Sequence, residues 1–330
     1  MQPERFDNGP SASENGCLWV LVRSYYRIRR WSEAAWHALK QRLFAAYDKV
    51  RDFLITLDEE TRPNRARPAH RRPGRRRRER PAAPPPPQPD MRKAAVPEDM
   101  RIYAVGDIHG RADLLKRLMR KIEEDARAAP EARKLLIFLG DYVDRGFQSK
   151  DVIDFLIEGD FSRFETYFLR GNHEAAFETF LSDPSFGPQW ARFGGAETLM
   201  SYGIQPPRAK TVESEWTEVC EQLNQVLPAS HRHFLSSLTL YEAFGDYVFV
   251  HAGLKPGQPL EAQNEKDILW IRDEFLSDER PFDRMVVHGH TPISEPHLDH
   301  RRIGIDTGAY LTGKLTAACL SGTNVSFLST

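Results

Sequence analysis

Five clusters of Asp, Asn and His, each bracketed by glycine and each directly behind a short apolar run, constrain this chain more than any other feature. They are GDIHG at 106–110 after the run 102–105, GDYVDRG at 140–146 after 135–139, GNHE at 171–174 after 167–169, HAG at 251–253 after 247–250, and HGHT at 288–291 after 285–287. A short apolar run bounded by turn residues reads as a buried strand. Helical spacing links the first three runs, through Leu114, Leu115, Leu118, Met119 and Ile122, then through Val152, Ile153, Leu156 and Ile157. This βαβαβα rhythm predicts a parallel or mixed sheet with helices on its faces. In such sheets the carboxyl ends of neighbouring strands open on one crevice, so the five clusters are expected to meet there. Further strands are expected at 303–305, 315–320 and 325–328, and 184–245 reads as a mostly helical insertion.

The inventory of those clusters is that of a two-metal site. Carboxylates and imidazoles with no thiolate suit Mn, Fe or Zn, and an Asp can bridge two ions that activate water and grip phosphoryl oxygens. Arg145 and, in a looser setting, Arg272 are the guanidinium groups expected to bind phosphate in bidentate fashion. A lone histidine on a strand is usually a packed or solvated residue, a reading that suits His37, His70, His231, His233, His297 and His300. His109, His173, His251 and His290 differ, because each stands in a glycine-bounded cluster after an apolar strand. His288 is expected beside the ligands, where it would orient one, and Asp306 is expected either there or in a turn.

Composition matters chiefly for what surrounds this body. The content is 40% hydrophobic and 28% charged, which excludes collagen, coiled-coil and multi-span membrane classes. The net charge of −1 hides an asymmetry: residues 61–95 hold eleven Arg and one Lys against two acids, with nine of the 23 Pro. Residues 1–60 read as a disordered start followed by an amphipathic basic and aromatic helix, 61–95 as a disordered Arg/Pro linker, and 96–330 as the catalytic domain. The basic arm is expected to be either a solvated tether or a contact for anionic lipid, nucleic acid or an acidic protein. Three unrelated Cys (Cys17, Cys220, Cys319) give no reason to expect a disulfide-linked partner. The start lacks the basic and apolar regions of a signal peptide, so the expected location is cytoplasmic, with the inner membrane surface as an alternative.

Taken in order, GDIHG, GDYVDRG, GNHE, HAG and GHT resemble the calcineurin-like metallophosphoesterases, and more narrowly the bacterial phosphoprotein (Ser/Thr) phosphatases. The resemblance covers 101–321, including FGGAETLMSYG at 193–203 and IDTGAYLTGKLTA at 305–317, and leaves out 1–95. It implies an α/β fold in which two mixed sheets pack face to face between helices (α/β/β/α). It implies two divalent ions, Mn²⁺ in the first instance with Fe or Zn as alternatives. Asp107 and His109 would bind the first, Asp141 would bridge, and Asn172, His251 and His290 would complete the second. A hydroxide held between the ions would attack phosphorus in line. His173 would be the general acid, held and charged by Asp144, while Arg145, Asn172 and Arg272 would hold the phosphate. Many members place a second ligand His two residues after the last one; Pro292 stands there, as in the phosphoprotein phosphatase branch. The implied function is a Ser/Thr phosphatase acting on phosphorylated protein. The alternative is a symmetrical diadenosine tetraphosphatase, or a nucleotide or RNA-cap hydrolase, taking dinucleoside polyphosphates at the same site. Asp144 weighs against it, because symmetrical tetraphosphatases generally carry an apolar residue there. A third reading, an inactive domain that tethers through its basic arm, is disfavoured by the intact ligand set.

Overall fold

Alternation along the first strand decides how the molecule is layered. In β1 (Met100–Val105) Ile102 and Ala104 face one way, Tyr103 and Val105 the other, and all four are fully buried. A strand covered on both sides must lie in a sheet with a layer on each face. The computed structural model, which describes residues 94–129, 132–207 and 213–330, shows those layers.

The first sheet has the order β10-β9-β1-β2-β3. Its members are β1, β2 (Arg133–Phe138), β3 (Glu165–Phe168), β9 (Thr316–Ser321) and β10 (Asn324–Ser329). β1, β2 and β3 run parallel, and β9 pairs antiparallel with both β1 and β10. Parallel neighbours need a crossover, supplied by α1 (Ala112–Arg127) and α2 (Ser149–Glu158). The second sheet has the order β4-β5-β6-β8-β7. It consists of β4 (Tyr241–Phe244), β5 (Tyr247–Val250), β6 (Met285–His288), β7 (His297–Leu298) and β8 (Arg302–Gly304), with β5, β6 and β8 parallel and β4 and β7 antiparallel at its edges.

Ile102, Ala104, Leu135, Ile137 and Leu320 of the first sheet meet Phe249, Val287 and Ile303 of the second in one core between the sheets. Tyr103, Val105, Leu136 and Phe138 face outward against Leu115, Leu118 and Ile122 of α1 and Val152, Ile153 and Leu156 of α2. On the far side Val248, Val250 and Val286 pack against Ile268, Ile271 and Phe275. The architecture is thus the α/β/β/α sandwich expected, and each fully buried Leu or Ile contributes about 2 kcal/mol of hydrophobic transfer energy. Over 184–245, α4 (Gly187–Phe193), α5 (Gly195–Ser201), α6 (Glu213–Val226) and α7 (Ala229–Ser236) follow α3 (Asn172–Ser182), and the span closes with β4.

The helix expected within 1–60 and the Arg/Pro segment through residue 93 lie outside the described residues. Ala94 and Ala95, placed with the linker by sequence, are tied to the second sheet. Tyr247 Oη donates to the Ala94 carbonyl (3.2 Å), and the Ala95 amide donates to Asp246 Oδ2 (3.0 Å). No helix among the described residues is long and apolar enough to cross a membrane.

Candidate functional site

Among the described residues, five that are not glycine have a left-handed backbone: His109, Asp141, Asp144, Arg145 and His290. All five belong to the clusters that follow the strands. A side chain with a Cβ costs about 1–2 kcal/mol in this conformation, and such strain collects where the backbone is held for a purpose. The turns also bring chain segments unusually close. A Cβ on Gly289 would stand 2.0 Å from Asp107 Oδ1, and one on Gly171 would stand 2.2 Å from Asp141 Oδ1. Only glycine lets these backbones pass so near the carboxylates.

The second sheet supplies His251 and His290, and the first supplies Asp107, His109, Asp141, Asn172 and His173. His251 Nδ1–H donates to the Leu139 carbonyl (2.9 Å), which leaves a lone pair on Nε2. That nitrogen faces Asn172 Oδ1 at 2.8 Å, His290 Nδ1 at 3.1 Å and Asp141 Oδ1 at 3.4 Å. His290 Nδ1 also lies 2.8 Å from Asn172 Oδ1, and its Nε2 is buried with no hydrogen-bond partner. Several lone-pair atoms therefore face one another with at most one proton among them, an arrangement that a cation relieves. On the other side His109 Nδ1–H donates to the Val143 carbonyl (3.0 Å), so its Nε2 also presents a lone pair. Arg145 Nη1 donates to that Nε2 (2.9 Å), and Asp141 Oδ2 lies 3.5 Å from it. Two groups of side chains suit a metal ion: His109 with Asp141 and His173, and Asp141 with His251 and His290. Asp141 is common to both. Asp107 sits beside them, both of its oxygens accepting the His290 amide (3.1 and 3.0 Å).

The electrostatics agree with a place for positive charge. Burial, then Asp306 and Asp141, push the Asp107 carboxyl well above its ordinary range. Burial opposes the charge of Asp141 too, yet the imidazoles of His251, His173 and His109 and the Arg145 guanidinium hold it below the usual value. Burial lowers the proton affinity of His109, His251 and His290, which favours the free lone pairs a ligand needs. The donor set of oxygen and nitrogen, shared carboxylate and orphaned imidazole nitrogen fits a pair of divalent cations.

His173 is held at its other nitrogen. Its Nδ1–H donates to Asp144 Oδ2 at 2.7 Å, and its Nε2 stands 3.8 Å from Asp141 Oδ2. Asp144 is fully buried and accepts three further donations: Thr198 Oγ1 to Oδ1 at 2.7 Å, and Trp190 Nε1 to both oxygens at 3.2 and 3.1 Å. Its amide donates to Thr198 Oγ1 (2.9 Å) and Ser149 Oγ (3.1 Å). The insertion thus clamps the residue that orients His173. Arg145 is placed by its stacking on the Tyr310 ring (4.9 Å) as well as by His109. Arg272 reaches Thr291 Oγ1 at 3.5 Å and bears electrostatically on His290 and His251.

Sequence reasoning missed several of these residues. Glu174 stood inside a quoted motif without a role. Its carboxylate accepts the amides of Asp141, Gly171 and Tyr142 (2.8, 2.9 and 2.8 Å) and so holds Asp141 in its strained turn. Its place at the third helical position, facing back over the N-terminus of α3, was the available signal. Trp190, Thr198 and Tyr310 carried none outside the resemblance. His288 departs from its expected place beside the ligands. Its ring donates to the Gly289 carbonyl (3.0 Å), accepts from Arg302 Nη1 (3.1 Å) and packs on Phe275, because the side chain turns to the outer face of the second sheet. Asp306 caps the turn at Gly308 (2.8 Å) through Oδ1 and keeps Oδ2 buried and unpaired toward the cluster.

The model of the calcineurin-like phosphoesterase family matches residues 100–318. The chain belongs to that family. It is a metal-dependent phosphoesterase, a hydrolase acting on phosphoric ester bonds. Among curated proteins it is similar to the asymmetrical bis(5′-nucleosyl)-tetraphosphatase PrpE of Anoxybacillus flavithermus, 28% identical over 235 residues that cover 64% of this chain and 87% of the relative. The protein of the same name from Bacillus subtilis is 26% identical over 231 residues, covering 64% of this chain and 87% of the relative. The crystal structure of a cold-active protein tyrosine phosphatase mutant overlays with a TM-score of 0.49 at 15% identity, covering 72% of this chain and 83% of that one. The narrower expectation of a Ser/Thr protein phosphatase is not what these sequence relatives are named for.

Proposed function

We propose that this phosphoesterase hydrolyses dinucleoside polyphosphates, dividing the phosphate chain unequally. The observation that carries the reading is the similarity to tetraphosphatases over 87% of their length. Asp144 had weighed against a symmetrical tetraphosphatase, and the relatives are named asymmetrical, so the carboxylate and the names no longer conflict.

His109, Asp141 and Asp107 would hold one divalent ion, and Asp141, Asn172, His251 and His290 a second, with Mn²⁺ the first choice. When bound, such a pair supplies an activated water and neutralises phosphoryl charge. The chain's own residues do the rest. Arg145, fixed over Tyr310, offers its guanidinium to phosphoryl oxygens, and Arg272 adds charge from the second sheet. Asp144 accepts from His173 Nδ1–H and so fixes the ring with Nε2 toward the site, from which a proton would pass to the leaving oxygen.

That pair also supports a second reading, dephosphorylation of phosphoprotein. A Ser or Thr alkoxide is a poorer leaving group than a nucleotide, and a general acid serves it more. The deciding measurement is kcat/KM with Mn²⁺ for diadenosine tetraphosphate, a phosphothreonine peptide and a phosphotyrosine peptide. We expect the dinucleotide to lead and to yield AMP and ATP. A clear lead for a peptide would reverse the order of the two readings, and two ADP would refute the unequal division.

A further inference from the structure

Two aromatic rings lie against the cluster. Phe193, the last residue of α4, has its ring centroid 6.2 Å from His173 and 5.7 Å from Trp270. Trp270, the last residue of α8 (Glu265–Trp270), stands 6.3 Å from the ring of His290. The indole is 39% exposed, and Phe147 is the other aromatic side chain that is open to solvent among the described residues. The part of the indole left open beside buried imidazoles and carboxylates offers a face that a flat apolar group tethered to phosphate would cover.

We propose that Phe193 and Trp270 form the stacking ledge for a nucleobase of the substrate, and so set the preference for nucleotides over simple phosphate esters. The proposal rests on the dinucleoside polyphosphate reading and adds to it which residues recognise the nucleoside. The ledge joins the general-acid side of the site, at His173, to the second sheet's side, at His290. A base lying on it is thus attached to a phosphate chain that reaches Arg145 and the shared Asp141. Stacking on one aromatic side chain tolerates any base, so the ledge selects for nucleosides as a class.

The test compares the full chain with Trp270→Ala and Trp270→Phe. With Mn²⁺, Trp270→Ala is expected to lose about tenfold more kcat/KM on diadenosine tetraphosphate than on nitrophenyl phosphate, and Trp270→Phe to restore most of that difference. Equal losses on both substrates, or a matching loss on a phosphothreonine peptide, would overturn the ledge while leaving the reaction class in place. A second readout does not depend on turnover. Tryptophan emission of the full chain, with and without Mn²⁺, is titrated with AMP and with ribose 5-phosphate. AMP is expected to quench the wild type and not Trp270→Phe, and ribose 5-phosphate to quench neither. If the wild type cleaves no dinucleotide, the proposed reaction fails on its own account. The titration then decides the ledge, and an absence of AMP-specific quenching overturns it.

Discussion

A fully buried carboxylate needs donors around it, and Asp144 gathers its donors from distant parts of the chain. Trp190 and Thr198 lie 46 and 54 residues away in sequence, which is why no local pattern disclosed them. Removing the Thr198 hydroxyl with Thr198→Val should cost about 1–3 kcal/mol of stability, read as a lower urea midpoint. It should also lower turnover of substrates with poor leaving groups, since His173 loses its fixed partner. His173→Asn should reduce turnover of phosphothreonine peptide much more than that of nitrophenyl phosphate; equal losses would remove the general-acid role. Asp141→Asn takes the charge from the shared position and should lower kcat by orders of magnitude. The residues inside the motifs were legible because each motif is contiguous. The clamp on Asp144 and the turn of His288 away from the cluster depend on tertiary neighbours.

The same distinction holds among the elements. All eight strands expected from apolar runs are present, each within two residues of its expected ends. The two that were missed, β4 and β7, are edge strands that are short and only partly buried, so the apolar signal was weak. Three helices that support the site meet at one buried imidazole. His231 of α7 donates from Nε2 to Asp154 of α2 (2.8 Å) and accepts at Nδ1 from the hydroxyl of Tyr202, next to α5 (2.8 Å). Burial lowers the proton affinity of His231, although Asp154 works the other way. A histidine harder to protonate when folded contributes stability above its unfolded value near 6.5, and that stability is lost as the pH falls below it. Thermal unfolding between pH 7 and pH 5 should therefore show a falling midpoint, and His231→Gln should flatten that fall. An unchanged slope would mean that other groups govern the acid response.

At the scale of the whole molecule, the cluster draws Asp141 from one sheet and His251 and His290 from the other, so anything bound there ties the sheets together. A cation at a hundred times its dissociation constant adds about 2.7 kcal/mol, equivalent to roughly 5 °C or more in a domain of this size. Mn²⁺ should raise Tm by that order, EDTA should remove the gain, and Asp141→Asn should show little of it. Deletion of residues 1–93 should leave nitrophenyl phosphate turnover intact. A cut two residues later should lower Tm, because Ala94 and Ala95 are bonded to the second sheet. The straddling arrangement has a practical reach as well. Ser236 and Ser237 are exposed where the chain leaves α7 on its way to β4. A polypeptide severed there gives two fragments, one carrying Asp141 and Asn172, the other carrying His251, His290 and the β9 that must re-pair with β1. Neither fragment owns a working set, so the yellow of released nitrophenol would appear only where the two halves have found each other. The fold is thereby a template for a split reporter of protein–protein proximity.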